Sequence, residues 1–139
     1  DCQFIFPGHP NPNVFNTVQE LLGCIPNIHL IEPLIYADFI FIMSKSSIII
    51  SDSGGIQEEA PSLGKPVLVT RNTTERPEAV NAGTVKLIGC EKASIVNETI
   101  NLLTNENAYN EMSASVNPYG DGKASDRILK ILEARQVSS

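Results

Sequence analysis

Apolar residues along this chain fall into short runs separated by stretches with helical spacing. Residues 4–6, 28–31, 47–51, 66–70 and 84–88 are such runs, rich in Ile, Val and Leu and interrupted internally only by His29 and Lys86. Continuous apolarity, in place of in-out alternation, predicts strands covered on both faces. Between them, 13–22 sets Val14, Val18, Leu21 and Leu22 on one face of a helix, and 36–43 and 55–63 are predicted to be helical, the latter closed by Gly64. Pro7-Gly8 stops the first strand, and a loop rich in Thr, Asn and Glu separates the fourth from the fifth. Three more helices are predicted over 92–103, 108–113 and 124–134. Strands alternating with helices imply an α/β fold built on a parallel sheet with helices on both faces. No internal repeat or low-complexity segment interrupts this order.

Composition narrows the picture. With 139 residues and 42% apolar content, one domain with a packed core is expected over 1–139. A net charge of -6 argues against nucleic acid or an anionic membrane surface as partner, since either requires a basic face. Cys2, Cys24 and Cys90 are odd in number and lack CxxC spacing, which suits reduced, buried, structural thiols in a cytoplasmic chain. Apolar stretches stop well short of the ~20 residues of a membrane helix, and no signal segment opens the chain. Asp1-Cys2-Gln3 lacks an initiator Met and leads almost at once into a strand, so the chain reads as part of a longer polypeptide.

In parallel sheets, ligands bind beyond the carboxyl ends of the strands. There the third strand runs into Ser51-Asp52-Ser53-Gly54-Gly55. Backbone N–H groups opening a helix, with no Cβ in the way at two glycines, suit an anion such as a diphosphate. The same dipeptide also serves as a plain turn, and the loop alone leaves both readings open. Glu59 lies six residues beyond Ser53, about 9 Å along a helix, a step that matches the distance from pyrophosphate to ribose, and a carboxylate accepts both hydroxyls of a diol. Glu58 and Glu59 could equally be solvated helix acids. Arg76 sits in Thr74-Glu75-Arg76-Pro77-Glu78, where Pro77 stiffens the turn and the guanidinium offers a bidentate fork to phosphate. A surface ion pair is the competing role for Arg76, and Thr73 and Thr74 add hydroxyls. His9 follows the first strand in a proline-fixed loop, whereas His29 is assigned to structure. With two histidines and no paired nucleophile, neither a metal site nor a catalytic dyad assembles. Fingerprints of nicotinamide-binding, P-loop, nucleophile-elbow and zinc chemistry are also missing.

Taken in order, His9-Pro10-Asn11-Pro12-Asn13, Ser53-Gly54-Gly55-Ile56-Gln57-Glu58-Glu59-Ala60, Gly64-Lys65-Pro66-Val67, Thr74-Glu75-Arg76-Pro77-Glu78-Ala79-Val80 and Asn117-Pro118-Tyr119-Gly120-Asp121-Gly122 resemble the C-terminal domain of the non-hydrolysing UDP-N-acetylglucosamine 2-epimerases. The likeness runs over essentially the whole chain. It implies a Rossmann-like domain, the second half of a GT-B fold, in an isomerase that interconverts UDP-N-acetylglucosamine and UDP-N-acetylmannosamine by elimination and re-addition of UDP. It further implies that Ser53, Gly54 and Gly55 hold the phosphates, Glu59 the ribose, and Arg76 the leaving diphosphate. The uracil would stack near Phe39, with backbone contacts around Leu34. His9 matches a residue that helps bind a second UDP-N-acetylglucosamine at an allosteric site in bacterial members. The resemblance carries no metal or redox cofactor and implies a homodimer at full length. The acid/base carboxylates of the family belong to an N-terminal domain that would precede Asp1, so no catalytic residue is expected in this chain and it should be inactive alone. A UDP-sugar glycosyltransferase half and a stand-alone nucleotide-sugar binding module are the alternatives.

Overall fold

A computed structural model describes residues 2–8 and 11–136, which form two compact units, Asp1–Ile42 and Met43–Ser139. In the first unit, β1 (Phe4–Pro7), α1 (Pro12–Leu22) and β2 (Ile28–Ile31) make a β-α-β turn in which the strands pair in parallel, Phe4 opposite Ile28 and Pro7 opposite Ile31. The Asn11 side chain accepts from the Asn13 N–H at 3.0 Å, and Pro12 supplies a preset φ at the first helical position. Phe6, Val14, Phe15, Val18, Leu30 and Ile31 line a small apolar cleft between α1 and the strands. His29 stays at the surface and shares a 2.8 Å hydrogen bond with Gln3. The boundary between the units falls inside α2 (Tyr36–Lys45).

The second unit holds a three-stranded parallel sheet, β3 (Ile49–Ser51), β4 (Val67–Val69) and β5 (Val85–Leu87), with β4 in the middle. Ile49, Val67 and Val85 stand in one row, and Ser51, Val69 and Leu87 in another. All three β4 residues are fully buried, which is why that run is uniformly apolar. Leu68 meets Ile88 of the strand end and Leu102 of α5 (Lys92–Thr104), with Ile48, Ile95, Ala108 and Met112 around them. The last two helices are α6 (Glu106–Ala114), capped by the Asn105 side chain, and α7 (Ala124–Gln136). Among the described residues no helix is long and apolar enough to cross a membrane.

The expected α/β order and parallel pairing are found, as a two-stranded and a three-stranded ladder. Other features differ from expectation for local reasons. The helix expected over 55–63 is α3 (Gly54–Glu59) followed by a tighter 3-10 turn, Ala60–Leu63. Pro61 has no N–H to offer the Gln57 carbonyl, so the α pattern cannot continue and the chain winds down to Gly64 at φ 64°. A short helix, α4 (Pro77–Asn81), appears within the polar loop, with Ala79 fully buried. The three cysteines, expected to be buried, are exposed. Cys2 precedes β1, Cys24 occupies the turn after α1, and Cys90 follows β5, so each lies beyond the ends of the packed elements.

Ahead of α7, Asp121 takes both Nη groups of Arg127 at 2.9 and 2.7 Å and the Lys123 N–H at 3.1 Å. The Arg127 hydrogen bonds, followed by that backbone N–H, hold the Asp121 carboxyl below its ordinary 3.8. A depressed carboxylate stabilises the fold above its unfolded pKa and loses that contribution as pH falls through the folded value. Acidification below about 3.8 is therefore expected to loosen the start of α7 before α5. Hydrogen exchange followed from pH 6 to pH 3 reads this, and Asp121→Asn should remove the difference; equal acid sensitivity in the variant would contradict it.

Candidate functional site

The carboxyl ends of β3 and β4 carry the loops in which the sequence placed its chemistry. After Ser51 the chain turns at once, because the Ser51 hydroxyl accepts the Ser53 N–H at 3.0 Å. Ser53 is extended (φ -79°, ψ 132°) at the N-cap of α3, yet its hydroxyl makes no capping bond. A Cβ at Gly54 would meet only the tip of the exposed Glu75 side chain, which can swing aside. At Gly55 the corresponding direction is open, with the Ser53 hydroxyl nearest at 3.9 Å. Glu59, half-buried, ends α3 and forms no ion pair among the described residues.

Arg76 stands immediately before Pro77 and is held out of the helix (φ -122°, ψ 59°), as a residue preceding proline tends to be. Its Nε donates to Glu58, and Nη1 reaches the Glu75 carbonyl at 3.3 Å. The hydrogen bond to Glu58 raises the guanidinium's pKa, burial opposes it, and the charges of Glu58 and Glu75 add to the rise. Arg71 pairs instead with Glu75, at 3.0 Å.

Two roles were not foreseen. Gln57 is fully buried, and its amide joins α3 to the Arg76 loop: Nε2 donates to the Ser53 carbonyl at 3.2 Å, and Oε1 accepts from the Thr74 hydroxyl at 2.6 Å. Thr74 in turn accepts the Arg76 N–H at 3.0 Å. The spacing contained this signal, since Gln57 lies three and four residues before the buried Ala60 and Pro61 and so shares their face. Tyr119 is the other. Its hydroxyl is buried with no hydrogen-bond partner among the described residues, the Ala79 backbone standing nearby without completing one. Burial pushes its pKa up, and Glu78, Glu58 and Arg76 are all close enough to act on it.

Ser53, Gly54, Gly55, Glu59 and Arg76 thus belong to one unit, and Gln57, Thr74 and Glu58 tie Arg76 to α3. Leu34, between β2 and α2, and Phe39, early in α2, are both half-buried and belong to the first unit. His9 lies outside the described residues.

Parallel strands that run through short loops into helices, with the polar network at their carboxyl ends, define a Rossmann-like α/β protein. A sequence profile described as UDP-N-acetylglucosamine 2-epimerase matches residues 1–133, and the chain belongs to that family. It is 54% identical over 138 residues to the UDP-N-acetylglucosamine 2-epimerase of Escherichia coli K12, covering 99% of this chain and 37% of that protein. The crystal structure of the Neisseria meningitidis UDP-GlcNAc 2-epimerase, bound to UDP-GlcNAc, superposes with a TM-score of 0.88 at 55% identity, over 95% of this chain and 36% of that one. The S. aureus MnaA structure with UDP gives 0.88 at 48% identity, over 96% and 37%. The chain spans about a third of the length of the curated relatives it matches.

Proposed function

We propose that this chain is the UDP-binding C-terminal part of a cytoplasmic UDP-N-acetylglucosamine 2-epimerase that works as a homodimer. The single observation that carries this reading is the Arg76 guanidinium, tied to α3 by Glu58 and by the Thr74–Gln57 relay, in a chain of the epimerase family. In this reading Arg76 contacts the diphosphate and steadies it as it leaves, and the Ser53 hydroxyl with the N–H groups of Gly54 and Gly55 holds the phosphates. Glu59 accepts the ribose hydroxyls, and Leu34 and Phe39 receive the uracil. His9 contributes to a second, regulatory UDP-N-acetylglucosamine site. The groups that move protons at the sugar come from the part of the relatives that this chain does not span.

Calorimetry with UDP and an epimerisation assay on the purified chain test the reading together. Weak UDP binding without turnover is expected, and turnover by the chain alone would overturn the division of labour. Glu59→Gln separates ribose from phosphate: UDP affinity should fall while pyrophosphate affinity holds, since only the nucleotide brings a diol. Parallel loss for both ligands would make Glu59 a support of the helix.

A further inference from the structure

Glu58 and Arg76 form an ion pair in which only one of the five guanidinium N–H groups, that on Nε, goes to the carboxylate. Nη1 spends one hydrogen on a long 3.3 Å contact to the Glu75 carbonyl, so among the described residues both Nη nitrogens keep donors for a ligand. The Arg76 and Glu58 side chains are 35% and 40% exposed, open enough for an anion to reach them and for water to screen the carboxylate's charge. The backbone is fixed as well: the Arg76 N–H is held by Thr74, and Thr74 by the buried Gln57. Gln57 and Glu58 are neighbours on α3, so two consecutive residues of one helix grip the backbone and the side chain of the same arginine.

We propose that Glu58 is a positioning residue for Arg76, holding the guanidinium by Nε so that its Nη groups are already set for a diphosphate. This rests on the phosphate-binding reading of Arg76 given above. A free arginine side chain loses much rotamer freedom when it clamps a ligand, and an arginine held beforehand loses less. The alternative is that Glu58 competes with the ligand for the cation, and the two roles predict opposite signs.

Calorimetric titration of the full chain with UDP distinguishes them, with thermal melts as the control for folding. Glu58→Ala should weaken UDP binding about fivefold, and Glu58→Gln should stay within about twofold of the parent, because the amide oxygen accepts the same Nε–H without the charge. In an Arg76→Ala background, Glu58→Ala should change nothing further. Tighter binding by Glu58→Ala, or an equal loss with and without Arg76, overturns the positioning role while leaving Arg76 as a phosphate ligand. Unchanged UDP affinity in Arg76→Ala alone overturns the phosphate reading itself, and the role of Glu58 with it.

Discussion

Arg76→Ala is expected to weaken UDP binding by about ten- to a hundredfold, the range spanned by charge-assisted hydrogen bonds. Arg76→Lys should recover only part of this, because an ammonium has neither the planar fork nor an Nε–H to be held by Glu58. Arg71→Ala is the contrast. Arg71 is engaged with Glu75 in an exposed i,i+4 pair, an interaction worth little, so its loss should barely register in UDP titrations. Equal effects at the two arginines would mean that UDP senses the general field of the loop and no dedicated clamp.

Gln57→Met should cost about 2–4 kcal/mol of stability in denaturant unfolding, although the replacement is close in size. Its amide is fully buried and serves both the Ser53 carbonyl and the Thr74 hydroxyl, and a thioether replaces neither bond. Thr74→Val removes the other end of the relay. The double variant should lose less than the sum of the singles, since the second change no longer orphans a partner. Strict additivity would show that Gln57 and Thr74 do not act as one unit. The UDP affinity of Gln57→Met should fall as well, because the Arg76 backbone loses the support of the Thr74 acceptor.

How much of this was legible in the sequence follows from what each element depends on. β4 could be read from Val67-Leu68-Val69 because full burial leaves an unbroken apolar run, and α5 because it is long enough for its periodicity to show. α4 could not: five residues give barely one turn, and it holds its place through Pro77 at its start and the buried Ala79 more than through any pattern. The 3-10 turn was encoded in Pro61, but apolar spacing continues smoothly through it and conceals the change of pitch. Within the site, Arg76 and Ser53 were visible as chemistry-bearing residue types at strand ends. Gln57 was visible as a residue on the buried helix face and Glu58 only as a helix residue, because their roles depend on a loop some seventeen residues later in the chain folding back over α3. The cysteines erred in the opposite direction: residue type suggests burial, while position beyond the element ends decides exposure.

That exposure makes the chain open to covalent labelling. Cys90 lies at the end of β5 with its Sγ 3.0 Å from the carbonyl of Thr70, the residue that follows β4 and precedes Arg71. With Cys2 and Cys24 changed to serine, a single environment-sensitive dye on Cys90 would sit at the same strand ends as the arginine loop. Its emission would give an optical signal from that loop without any substitution in it.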